Sequence, residues 1–90
     1  MEKVAIFTEG QSEQIFVRNL LVRLIDNMNL SFECLRLRAG TLGPVPFKFA
    51  SPLATVHVMI IDVGNDGKVT SEIKEREQGL LSAGYQRIVV

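Results

Sequence analysis

Apolar and polar positions change period several times along this chain, and those changes mark out its elements. Lys3 to Thr8 is a short β-rich run without clean alternation, as expected of a strand buried on both faces. From Gln11 to Asn29 the period lengthens: Phe16, Val17, Leu20, Leu21, Leu24 and Met28 recur at three- and four-residue spacing, the mark of an amphipathic helix. Ile15, Val22 and Ile25 widen the apolar face, and Arg18, Asn19, Arg23, Asp26 and Asn27 leave a narrow polar side, so the helix is expected to be well covered. Ser31 to Ala39 returns to a two-residue period, with Leu35 and Leu37 on one face and Arg36 and Arg38 on the other.

The pattern then loosens. Residues 40–54 carry Pro44, Pro46 and Pro52 with Gly40 and Gly43, which predicts a surface loop and a candidate binding segment. Thr55 to Asp62 is a strand, "VGNDG" a turn, and Lys68 to Ala83 a second helix whose inner stripe is Val69, Ile73, Leu80 and Leu81. Glu72 and Arg76 form a surface pair at four-residue spacing, Gly84 ends the helix, and "YQRIVV" resumes strand character. The order β-α-β-loop-β-α-β predicts an open α/β fold: a four-stranded, mostly parallel sheet with flanking helices, in one domain spanning 1–90. The carboxyl end of the first strand is expected beside that of the Thr55 to Asp62 strand.

Composition narrows the function classes. Ninety residues that are 47% hydrophobic, with positive mean hydropathy, leave much apolar surface to cover, which implies a partner surface or a missing portion. Ten basic and ten acidic residues cancel, so a phosphate contact would have to be local. Cys34 stands alone, which excludes an internal disulfide and suits a reducing cytoplasm; its strand position reads as core. His57, between Val56 and Val58, reads as a partly buried or edge histidine, with no second histidine to support a metal site. The chain enters its first strand without a charged leader, an expectation against secretion, and no apolar run approaches the roughly 20 residues of a membrane span.

Candidate chemistry gathers at strand ends. Glu9 falls where the first strand stops, Gly10 allows a sharp turn, and Glu13 follows one helical turn later; two carboxylates so placed could share one hard cation. The plainer reading is that Ser12 and Glu13 favour a helix start. Asp62 ends an apolar strand and also lies at a carboxyl edge, whereas Asn65, Asp66 and Gly67 are turn formers, with Asn65 or Asp66 a cap for the next helix. No phosphate loop, dinucleotide fingerprint or serine elbow is present.

"FTEGQSEQIFVRNLL" resembles the opening of Toprim-like proteins, in which the first strand ends in Glu-Gly and a second Glu precedes a long helix. It is most similar to small bacterial Toprim-like proteins of uncharacterised function associated with ATPase partners and phage defence, relatives of the overcoming-lysogenization-defect nucleases. "IIDVGNDGKVTSEIKEREQGLLSAGYQRIVV" is similar to the middle of such proteins. The resemblance implies a magnesium-dependent cut at a nucleic-acid phosphodiester, with Glu9 and Glu13 as metal ligands and Asp62 as a possible third. Asp62 and Asp66 depart from the Asp-x-Asp spacing of catalytic members. In close relatives the later acid is expected after the strand that follows the second helix, here "QRIVV", so a truncated or degenerate member is one expectation.

Two functions therefore stand open. One is the N-terminal part of a Toprim-like magnesium-dependent nuclease. The other is a noncatalytic module of the same fold that binds a protein partner, an ATPase or another copy of itself. A phosphorelay receiver fits less well, since it lacks the later lysine expected of that fold.

Overall fold

The computed structural model describes residues 1–38, 41–50, 52–64 and 69–89, and of residues 24–28, 46, 47, 49 and 69 the backbone alone. Its elements are β1 (Glu2–Thr8), α1 (Gln11–Met28), β2 (Leu30–Arg38), β3 (Thr41–Phe49), β4 (Val56–Asp62), α2 (Val69–Ser82) and β5 (Arg87–Val89). Among the described residues the strands form one sheet in the order β3-β2-β4-β1-β5, so the expected four-stranded sheet is five-stranded. β4 pairs in parallel with both β1 and β2, and β1 with β5, but β2 and β3 are antiparallel, which makes the sheet mixed.

The added strand is the segment expected to be a loop. Pro44 and Pro46 lack an N–H, and a proline is tolerated where a strand has a neighbour on one side only. Among the described residues β3 is such an edge strand, paired with β2 alone. The β2–β3 pairing shifts register between Glu33 and Leu35, a bulge that absorbs the irregular sequence.

Two clusters make the core, one on each face of the sheet. Ala5, Phe7, Ile61, Val63 and Tyr85 pack with Ile73 and Leu80 of α2. Leu30, Phe32, Cys34, Val58 and Ile60 pack with Val17 and Leu21 of α1. Full burial of a side chain such as Phe32 or Ile60 contributes about 1.5–3 kcal/mol. Both helices thus cover opposite faces, and β4, buried between them, reads as an apolar run. The coverage of α1 is less than its sequence predicts: Phe16 is 71% exposed, and Leu20 and Val22 are also exposed.

Gly84 ends α2 as expected. At φ 91° it lets the Gly84 N–H reach Leu81 O and the Tyr85 N–H reach Leu80 O, both at 3.0 Å, which satisfies two terminal carbonyls of the helix. Lys3 then ties β1 to this turn by donating to Ala83 O at 2.7 Å while its Nζ lies 4.8 Å from the centre of the Tyr85 ring. The Glu72–Arg76 pair forms at 2.8 Å, with Glu72 more buried than a surface pair would be.

The sheet order fixes where a ligand would sit. β1 leads through α1 to β2 and β4 leads through α2 to β5, with the two helices on opposite faces. A crevice opens outside the carboxyl ends of adjacent parallel strands whose connections diverge in this way. The carboxyl ends of β1 and β4 lie side by side, as expected, with Thr8 opposite Asp62.

Candidate functional site at the carboxyl edge of the sheet

Asp62 is the centre of this edge. It is 4% exposed, and its Oδ1 accepts the backbone N–H of Gly10 at 3.1 Å and that of Gly64 at 2.9 Å. Oδ2 lies 3.6 Å from Nε of Arg36, which stands opposite Asp62 in the β2–β4 register. One carboxylate therefore closes the turns after β1 and β4 and faces a cation on β2. Gly10 makes this possible, since its φ of 98° and ψ of 167° form a conformation almost confined to glycine.

Glu13 occupies the third position of α1, where negative charge complements the free amides of the first turn. Its Oε2 accepts the N–H of Glu9 at 3.0 Å, so the carboxylate reaches back over the helix start to the residue before the N-cap Gly10. Glu9 and Glu13 are both exposed. Asn65, Asp66, Gly67 and Lys68, the expected turn and helix start, lie outside the described residues.

These partners decide how the acids suit a divalent cation. A hard cation takes carboxylate oxygens with lone pairs to give. Glu9 offers them, and Glu13 retains one oxygen. Asp62 also retains one oxygen, but a guanidinium stands 3.6 Å from it, and Oδ1 carries two amide bonds. Among the described residues no three His, Cys, Asp or Glu side chains are grouped to hold a metal ion. Glu9, Glu13 and Asp62 form no such group.

Gln14, which the apolar pattern passes over, locks the helix to the sheet. It is 3% exposed, and its Nε2 donates to Leu35 O at 2.8 Å and to Ile60 O at 3.1 Å, bridging β2 and β4. The signal in sequence is a lone amide in register with Val17 and Leu21, the inner positions of α1. Beside it, at the open end of the β2–β3 face, Gln11, Arg36, Arg38, Thr41 and Gly43 line a cleft of about 680 Å³.

His57 is half-buried, as its strand position predicts. Its Nδ1 lies 2.8 Å from Oγ of Ser31 and its Nε2 3.4 Å from Oε1 of Glu33. Ser31 is directly opposite His57 in the β2–β4 register, near the start of both strands and remote from the carboxyl edge. The serine is 6% exposed, which keeps a substrate carbonyl from its hydroxyl, so the three side chains are a cross-strand polar pairing. Cys34 is a core thiol whose pKa is pushed up by burial, with the charge of Arg18 opposing the rise.

Compared with protein-family models, curated proteins and solved structures, the chain matches none. Among the described residues, no helix is long and apolar enough to cross a membrane.

Proposed function

We propose that this chain is a noncatalytic Toprim-like module that binds a partner or assembles with further copies of itself. The observation that carries this reading is the commitment of Asp62, whose Oδ1 holds two backbone turns while its Oδ2 faces Arg36. An acid spent in this way shapes the crevice instead of supplying charge to a metal. The exposed Phe16 and Leu20, one turn apart on α1, support an assembly role, since soluble monomers rarely leave large apolar side chains grouped in water. An ATPase or a second copy of the chain is the partner class that the sequence resemblance suggests.

The second reading is magnesium-dependent phosphodiester cleavage in a phage-defence setting. It is favoured by one observation: Glu9 is exposed at the end of β1, on the edge it shares with Asp62. In that reading Glu9 and Glu13 would supply oxygens to the ion, and the ion's charge would stabilise the attacking and leaving oxygens of the phosphodiester.

A cleavage assay separates the two. The chain is incubated with single- and double-stranded DNA and RNA in magnesium or manganese, beside Glu9→Gln. Intact substrates are the expected result. Cleavage that disappears in Glu9→Gln would overturn the noncatalytic reading, whereas equal cleavage by both proteins marks a contaminating nuclease and leaves the reading standing.

A further inference from the structure

The cleft at the open end of the β2–β3 face carries chemistry that neither the acids nor the core accounts for. Alternation along β2 sends Leu35 and Leu37 to the α2 side of the sheet, which turns Arg36 and Arg38 to the α1 side. Antiparallel pairing sets Gly43 opposite Arg36 and Thr41 opposite Arg38, so all four share one face. Where α1 begins, at Gln11, that face is left open and the cleft of about 680 Å³ forms. A Cβ added to Gly43 would meet nothing within 4 Å, so the space above it is open.

Two arginines two residues apart on a strand are separated by roughly 7 Å. Each guanidinium is a planar fork of N–H donors whose geometry matches the oxygens of a phosphate. Arg36 meets Asp62 through Nε, which restrains the guanidinium and leaves its terminal nitrogens outside that contact. Arg38 is exposed and, among the described residues, has no ion pair. Asp62 offsets one of the two positive charges, and the residues lining the cleft supply no carboxylate to offset the other.

We infer that this cleft binds the phosphate group of a nucleotide, with Arg36 and Arg38 as the two donor forks and the Thr41 hydroxyl as a further donor. Its volume lies in the range of small-molecule sites and exceeds what a phosphate alone fills, which leaves room for an attached nucleoside. The same chemistry is presented by a free nucleotide and by the terminal phosphate of a nucleic-acid strand. The inference goes beyond the module reading and holds whether or not the carboxyl edge cuts, because none of its donors is an acid of that edge.

The test follows the arginine Nε–Hε resonances of the ¹⁵N-labelled chain during titration with inorganic phosphate, a nucleoside 5′-monophosphate, and one short oligonucleotide with a 5′-phosphate or a 5′-hydroxyl, at constant ionic strength. Saturable shifts at Arg36 and Arg38 are expected, with affinity falling about tenfold or more in Arg38→Ala. Gly43→Leu, which fills the cleft without removing charge, is expected to abolish binding while the unfolding midpoint stays near that of the parent. Tighter binding of the monophosphate than of either oligonucleotide identifies a free nucleotide as the ligand, and a preference for the 5′-phosphorylated strand over all others identifies a strand terminus. Unsaturable shifts common to all arginines, binding unchanged in both variants, or equal affinity for the two oligonucleotides with none for the monophosphate would overturn the inference.

Discussion

Gly10 donates its backbone N–H to Oδ1 of Asp62 across 52 positions of sequence, at 3.1 Å. Asp62→Ala would orphan this amide and that of Gly64, at about 1–3 kcal/mol for each buried donor left unmet. Asp62→Asn keeps an acceptor and loses only the charge facing Arg36, so it is expected to cost less than half as much. Urea unfolding of both variants checks the order. Gly10→Ala should also destabilise, by about 1–3 kcal/mol of backbone strain.

Gln14 supplies a second prediction. Gln14→Leu leaves the helix face apolar but removes the donor shared by Leu35 O and Ile60 O, at about 1–3 kcal/mol. Gln14→Glu is expected to be worse, because a carboxylate would face two carbonyl oxygens. Burial there raises the pKa of the introduced acid, so the variant should lose stability as pH rises and recover at low pH. Unfolding midpoints measured across pH for both variants test this; equal loss at every pH would show that the glutamate has left the carbonyls.

Alkaline stability follows from two buried groups. Burial raises the pKa of the Cys34 thiol above its ordinary 9.0, and burial with the negative charge of Glu33 raises the Tyr85 hydroxyl above 10.0. In both, the folded state holds the proton more tightly than the unfolded chain. Their contribution is complete below the unfolded values and is lost as pH rises through the folded ones. Stability should therefore decline from about pH 9 upward. Cys34→Ala, despite its cavity, should show a shallower decline between pH 9 and pH 10.

The exposed apolar side of α1 is expected to contribute to association and not to folding. Phe16→Ser with Leu20→Ser should move the unfolding midpoint little, within about 0.5 kcal/mol per site. Sedimentation velocity across a concentration series should show self-association in the parent and less in the variant. A loss of stability comparable to a core truncation, about 2–5 kcal/mol, would place these side chains in the fold.

Much of this architecture is legible in the sequence. α1 and α2 announce themselves by period and β1 and β4 as short apolar, β-rich runs, and each falls within two residues of its expected bounds. β3 does not, because Pro44 and Pro46 carry the signature of a loop and only an edge position makes them compatible with pairing. The pattern of α1 predicts more coverage than the helix has, since a wide apolar stripe shows which side chains favour burial but not how far the sheet extends beneath them. At the site, strand-end placement picked out Glu9, Glu13 and Asp62. Their partners depend on register: Arg36 reaches Asp62 because β4 lies between β1 and β2, a neighbour relation that no local pattern contains.

A role for Asp62 in holding backbone turns, and not a cation, makes the stability of the fold independent of magnesium. Thermal unfolding of the parent and of Asp62→Asn is followed over a magnesium series at constant ionic strength. A ligand that binds only the folded state at one hundred times its Kd adds about 2.7 kcal/mol. The parent transition is expected to stay fixed across the series and Asp62→Asn to unfold earlier by the same interval at every concentration. A magnesium-specific rise in the parent transition that vanishes in Asp62→Asn would contradict it.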